Sequence, residues 1–298
     1  MKAIQFNSYG GPEVLSSVET ESPVPGPGEV LIQVASAGIN QLDAKIRSGS
    51  MAATKPLSFP SGTGFDAAGT VLAVGDGVVD VEPGDTVFGI GKNTVAEQAL
   101  LNQWAQVPQG IDPTDAGGWG VAVETAGRLL AELNLTEGTI LISGASGGVG
   151  SALIQLALGR GLKVIGTASE RNHDYLSSLG AIPMAYGPGL ATRVAKVAPE
   201  GIDGALDISG AGVISDLVTI VGNAARVISI SDFTAPRHGA RISSSATRTT
   251  NPRDAFAEAT ALPHFTLNIE HKYPIEDISA AHQHIELGHT IGKIIVTP

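Results

Sequence analysis

Residues 139–158 read TILISGASGGVGSALIQLAL, and two chemistries compete for the centre of that stretch. Gly144-Ala145-Ser146-Gly147-Gly148 fits GxSxG, the strand-to-helix elbow that exposes a serine nucleophile. One place later, Ala145-Ser146-Gly147-Gly148-Val149-Gly150 fits the loop that cradles the diphosphate of a dinucleotide, with alanine for the first glycine. In the cradle, Gly147 and Gly148 let backbone amides approach the diphosphate, and Gly150 lets helix and strand pack closely. The helix that follows adds unpaired N–H groups and about +0.5 of effective dipole charge. Ser146 would then donate to phosphate instead of attacking a carbonyl, while Leu153, Ile154, Leu156 and Ala157 bury the helix face.

In a cradle of this kind, a residue about 20 positions downstream contacts the adenosine ribose. Here that place falls in GTASERN, residues 166–172. Ser169 stands where an acid would grip the 2′-hydroxyl of NADH, and Arg171 offers a guanidinium to a 2′-phosphate, so NADPH is favoured. Glu170 could still accept from a ribose hydroxyl. The hydrolase alternative uses Ser146 as nucleophile and needs an acid and a histidine, for which Asp207 or Asp232 and His264 or His282 are available in the sequence. A third class is a protein that binds NADPH without turnover.

Elements must hold these groups in place. The first hundred residues read as strands punctuated by Gly and Pro: MKAIQF, EVLIQVASAGI, AAGTVLAVG, DTVFGI and VAEQALL. From Pro113 or Thr114 a helical pattern runs toward Leu133. Strands are expected near Ile140–Ser143, Lys163–Thr167, Gly204–Ile208, Arg226–Ile230 and Ala240–Ser243, with helices after the first four. Such alternation predicts an α/β fold with a parallel sheet covered on both faces. A helix over Arg253–Leu262 follows, then a strand, a helix from about Ile275 to Leu287 and a final strand in KIIV. The hydrolase reading gives the β-rich first lobe no task, whereas in a dehydrogenase it forms one wall of a substrate cleft.

The 298 residues carry 38 glycines, no cysteine and a formal net charge of -11. The missing cysteines exclude disulfides, cysteine-ligated zinc, iron–sulfur clusters and a cysteine nucleophile. The negative charge, with no basic stripe to offset it, disfavours nucleic acid and anionic membranes, so a bound anion must be captured locally. No apolar run approaches the ~20 residues of a membrane span, and no targeting pattern opens the sequence, so a soluble cytoplasmic protein is expected. His282, His284 and His289 suggest a metal cluster, but positions two apart diverge on a helix and Gly288 intervenes before His289, so a solvated helix end is the better reading. GIGKNT near residue 91 lacks the earlier glycine of a phosphate-binding P-loop and the hydroxyl directly after Lys92.

Several segments, in order, carry a resemblance: YGGPEVL, PGPGEVLIQVASAGIN, GTGFDAAGTVLAVGDGV, PGDTVFG, SGASGGVGSALIQLA and YPIEDISAAHQHIELGHTIGKIIV. The chain resembles the zinc-independent quinone oxidoreductase branch of the medium-chain dehydrogenase/reductase superfamily. The resemblance implies a doubly wound Rossmann sheet inserted into a β-rich, GroES-like catalytic domain. The expected borders are 1–107 and 263–298 for the catalytic domain and 108–262 for the cofactor domain. It implies hydride delivery from NADPH to a quinone or an α,β-unsaturated carbonyl, and a homodimer. Asn40 and Phe65-Asp66 stand where zinc-dependent relatives carry their cysteine and histidine-glutamate ligands.

By the same resemblance, Asn40 and Thr125 lie beside the nicotinamide, Ser146 to Val149 hold the diphosphate, and Ser169, Arg171 and Tyr186 surround the adenosine phosphate. Ser209, Gly210 and Phe233 face the cofactor, and Lys293 reaches a phosphate from the tail. Asp43 and Lys45 resemble an NxxDxK pattern of some members, in which Lys45 would polarise a substrate oxygen and Asp43 would orient it.

Overall fold

The computed structural model describes residues 1–54 and 56–298. Two compact units emerge, Met1–Val121 with Leu267–Pro298, and Ala122–Thr266.

The first unit starts with β1 (Lys2–Phe6) and β2 (Ser16–Glu19), which pair antiparallel. Next come β3 (Val30–Ile39), α1 (Gln41–Arg47), β4 (Ser61–Gly62), β5 (Asp66–Val74), β6 (Thr86–Gly91) and β7 (Gln98–Gln106). β3 is buried along nearly its whole length, because it is paired on both edges and covered on both faces. β5, β6 and β7 follow it antiparallel, and β7 returns to pair with Val30 to Gln33 of β3, closing the four strands on themselves. Val30, Ile32, Val87 and Leu101 fill the interior of this unit.

A single helix was expected from residue 113 onward. The structure breaks it into α2 (Pro113–Ala116), capped by the Asp112 side chain, and α3 (Trp119–Leu133). Gly117-Gly118 separates the two, and a side chain is excluded at Gly118 by packing, since a Cβ there would lie 2.8 Å from Lys293 Cε.

In the second unit the strands are β8 (Thr139–Ser143), β9 (Lys163–Ala168), β10 (Ile182–Ala185), β11 (Gly204–Asp207), β12 (Val227–Ser229) and β13 (Arg241–Ile242). Between them run α4 (Gly148–Gly159), α5 (His173–Ser178), α6 (Leu190–Val197) and α7 (Ile214–Val221), and α8 (Pro252–Ala261) follows β13. All six strands are parallel, in the order β10-β9-β8-β11-β12-β13. This is the 3-2-1-4-5-6 order of the Rossmann fold, with its switch point between β8 and β11. Two details depart from expectation. The chain after β12 makes a short 3₁₀ turn, Ala235–His238, instead of a helix, and β10 joins as an edge strand. Pro183 disguises β10, because proline is tolerated in a strand mainly at a sheet edge.

The tail supplies β14 (Ile269–Pro274), α9 (Ile278–Glu286) and β15 (Lys293–Thr297). β15 lies antiparallel to Ala37, Gly38 and Ile39 of β3, so the last strand completes a sheet begun near the start of the chain. No helix of the described residues is long and apolar enough to cross a membrane.

Candidate functional site

In the second unit the quoted loop joins β8 to α4. Gly147 is the N-cap of α4, so the N–H groups of its first turn have no carbonyl partner within the helix. Its chain neighbours and its own helix backbone aside, a Cβ built on Gly147 would meet, among the described residues, just Gly144 O at 3.8 Å, which leaves the face of the loop open. Gly150 is the opposite case. A Cβ there would come within 2.6 Å of Gly144 O and of Ala145 Cα and O, so helix and loop touch only because this residue has no side chain.

Two side chains brace the cradle from behind. Asn172 is buried and its Nδ2 donates to Ser146 Oγ at 3.2 Å, which leaves the Ser146 hydroxyl hydrogen free to point elsewhere. Tyr175 donates to Ser151 Oγ at 3.0 Å, and Ser151 donates in turn to Gly147 O at 2.8 Å. Ser169 and Arg171 lie at the end of β9, in a turn closed by Asn172 N donating to Ser169 O at 2.8 Å. Arg171 is exposed. Tyr186 directly follows β10 and is 61% exposed, while Phe233 follows β12 and is 70% exposed; at that exposure neither ring is a core residue. Ser209 and Gly210 follow β11. The cofactor candidates other than Lys293 therefore gather at the carboxyl ends of parallel strands, where ligands bind open α/β sheets. Thr125 lies elsewhere in this unit, buried in α3, with its hydroxyl donating to Glu124 Oε2 at 3.2 Å; Glu124 also pairs with the buried Arg128 at 2.9 Å.

In the first unit a second cluster forms around Asn40. Its Nδ2 donates to Asp66 Oδ2 at 3.0 Å, and its Oδ1 accepts from Lys293 Nζ at 2.6 Å. Lys293 Nζ also donates to Asp66 Oδ2 at 2.9 Å, and Asp66 Oδ1 accepts from Val121 N in the first turn of α3. The Asn40 amide is thus fixed in one orientation by a buried cation and a buried anion. The ammonium that the resemblance aims at a phosphate is, in the structure, 4% exposed and engaged by these two partners.

Asp43 and Lys45 are not brought together. Asp43 faces inward and its Oδ2 accepts from Asn40 N at 2.7 Å, whereas Lys45, two residues on, faces solvent. Burial pushes the Asp43 carboxyl up to about 7, against the pull of the Asn40 N–H, with the Asp66 carboxylate adding to the rise. Asp66, Asn172 and Asp207 are the residues whose roles the sequence did not disclose. Asn172 had one usable signal, an Asn at a helix start just past the ribose position.

A hydrolase triad is not assembled. Among the described residues the only side chain bonded to Ser146 Oγ is Asn172; Asp207 is taken by serines and Asp232 by Thr234. The described residues hold no group of three or more His, Cys, Asp or Glu side chains able to bind a metal.

Comparison with known proteins agrees with this architecture. Residues 26–132 match the alcohol dehydrogenase GroES-like domain, and residues 186–296 match the zinc-binding dehydrogenase family. The chain is 36% identical over 195 residues to a chloroplastic quinone-oxidoreductase, QR1, of Triphysaria versicolor, a match covering 61% of this chain and 59% of that protein. It is 30% identical over 321 residues to a chloroplastic NADPH-dependent alkenal/one oxidoreductase of Arabidopsis thaliana, covering 100% of this chain and 80% of that one. A mycobacterial protein solved in complex with NADPH superposes with a TM-score of 0.83 at 26% identity, over the full length of both chains. With its parallel sheet in 3-2-1-4-5-6 order, its GroES-like lobe and these relatives, the chain belongs to the quinone oxidoreductase family of the medium-chain dehydrogenase/reductase superfamily.

Proposed function

We propose that the protein is an NADPH-dependent oxidoreductase that reduces a quinone or an α,β-unsaturated carbonyl without zinc. The observation that carries this reading is the cradle at the start of α4, where Gly147 leaves the loop face open and Asn172 turns the Ser146 hydroxyl into a free donor. The first-turn amides of α4, with Ser146, Gly147, Gly148 and Val149, would hold the diphosphate. Ser169, Arg171 and Tyr186 would take the adenosine 2′-phosphate end, and Ser209, Gly210 and Phe233 the other end. When bound, NADPH supplies a hydride to a quinone or to the β-carbon of the unsaturated carbonyl.

Asn40 and Thr125 are assigned to the nicotinamide side. The Asn40 amide needs no reorganisation to serve there, because Asp66 and Lys293 already hold it. Lys45, on the solvent side of α1, would polarise the substrate oxygen. Asp43 supports Asn40 instead of Lys45. Lys293 is assigned to Asn40 as well, in place of a phosphate. A family model for zinc-binding dehydrogenases covers part of the chain, but Asn40, Phe65 and Asp66 lack the sulfur and imidazole donors of a tetrahedral zinc site.

A panel of quinones, enals and simple esters, followed by NADPH absorbance and by ester cleavage, tests the reading. NADPH oxidation with a quinone or an enal, and no ester cleavage, is the expected result. Ester cleavage that disappears in Ser146→Ala, without coenzyme binding, would replace it with the hydrolase.

A further inference from the structure

Asp207, the last residue of β11, is wholly buried at the switch point, and four donors converge on its carboxylate. Oδ1 accepts from Ser209 N at 3.2 Å, Ser209 Oγ at 2.9 Å and Gly210 N at 3.2 Å; Oδ2 accepts from Ser229 Oγ at 2.8 Å. The network reaches both neighbouring strands. Ser143 Oγ at the end of β8 lies 2.8 Å from Ser209 Oγ, and Ser229 Oγ at the end of β12 accepts from Ser231 N and Asp232 N. One carboxylate thus ties together the loops that leave three adjacent strands.

This arrangement decides what the β11 loop can offer a ligand. The N–H groups of Ser209 and Gly210 are turned down to Asp207, so neither is a donor for an anion. In a trans peptide the carbonyl points opposite to the N–H of the same unit. The Ile208 and Ser209 carbonyls therefore point away from the buried carboxylate. Ile208 O already accepts from Ser231 Oγ at 2.9 Å, whereas no hydrogen bond of the described residues reaches Ser209 O. Ser209 is exposed.

We propose that Asp207 is a positioning residue which, by holding two backbone N–H groups inward, presents the Ser209 carbonyl as an acceptor for a donor on the nicotinamide riboside half of the coenzyme. That donor is either the carboxamide N–H or a ribose hydroxyl. The inference rests on the reading that NADPH lies across the carboxyl edge of the parallel sheet. A carboxylate in this place repels an anion, and it suits the uncharged-donor half of the molecule better than the phosphate half.

Fluorescence titration or calorimetry with NADPH, 2′-phospho-ADP-ribose and adenosine 2′,5′-bisphosphate tests it in Asp207→Asn. The substitution keeps the volume but puts an amide donor against the existing donors. We expect NADPH affinity to fall tenfold or more, with adenosine 2′,5′-bisphosphate within twofold of the parent. If 2′-phospho-ADP-ribose falls with NADPH, the donor is a ribose hydroxyl; if it is unchanged, the donor is the carboxamide. An equal fall for all three ligands, or no change for NADPH, would overturn the proposal. Should Asp207→Asn fail to fold, Ser209→Ala decides, since it removes only a hydroxyl: an NADPH-only loss of about threefold is expected by the same hydrogen-bond reasoning, and none would overturn it. Arg171→Ala tests the underlying seat separately, because it should weaken adenosine 2′,5′-bisphosphate whatever Asp207 does.

Discussion

The ammonium of Lys293 meets the carboxylate of Asp66 at 2.9 Å, with both side chains buried and the two residues 227 positions apart in sequence. Breaking such a pair from one side leaves a charge in the interior with nothing to balance it. Lys293→Met should destabilise the protein by about 3 to 5 kcal/mol in urea unfolding. The double variant Asp66→Asn with Lys293→Met should recover much of that loss. A single variant as stable as the parent would mean that the pair is solvated.

Two buried groups give opposite pH dependences. Burial, with the Arg47 guanidinium adding to it, pulls His282 down to about 3 from its ordinary 6.5. Between those values the unfolded chain binds a proton that the folded chain refuses, so this contribution is complete above pH 6.5 and is lost as pH falls toward 3. Asp43 is raised from 3.8 to about 7, so its contribution is complete below pH 3.8 and is lost as pH rises through 7. From pH 3.8 to 6.5 the two slopes oppose each other, each at about 1.4 kcal/mol per pH unit. Relative to the parent, His282→Leu should therefore lose stability with rising pH across that window, and Asp43→Asn should gain it. Urea unfolding at pH 4.5, 5.5 and 6.5 checks both, and parallel curves for all three proteins would refute the assignment.

Arg171 is exposed at the end of β9, beside Ser169. If it grips the 2′-phosphate, Arg171→Ala should weaken NADPH by about 1 to 3 kcal/mol and leave NADH untouched. Fluorescence titration with both coenzymes measures the difference. Equal losses would place the arginine elsewhere in the nucleotide's surroundings.

What could be read from the sequence was what neighbouring residues decide. β8, α4 and β9 were legible because an apolar run, a glycine loop and a predominantly apolar helix follow one another within 30 residues or so. The Gly147–Gly150 cradle was legible for the same reason. Pro183 concealed β10, since a proline argues against a strand until the sheet shows that this one is at the edge. The long-range arrangements were out of reach. Nothing near Asn40 announces that Lys293 will lie against its amide, and the local spacing of Asp43 and Lys45 suggested a partnership that α1 forbids by turning one inward and the other out. Asp207 read as a spare acid, because its four donors come from the ends of two strands that only the folded sheet makes neighbours.

The pairing of β15 with β3 also bears on the order in which the chain can acquire its shape. Residues 122–266 are contiguous, so their sheet has every strand it needs as soon as that stretch has been synthesised. The edge of β3 at Ala37 to Ile39 must instead wait for residues 294–296, and the Asn40 amide waits with it for Lys293. Nascent chains halted before β15 should therefore carry a finished nucleotide module alongside a lobe whose polar cluster has no cation.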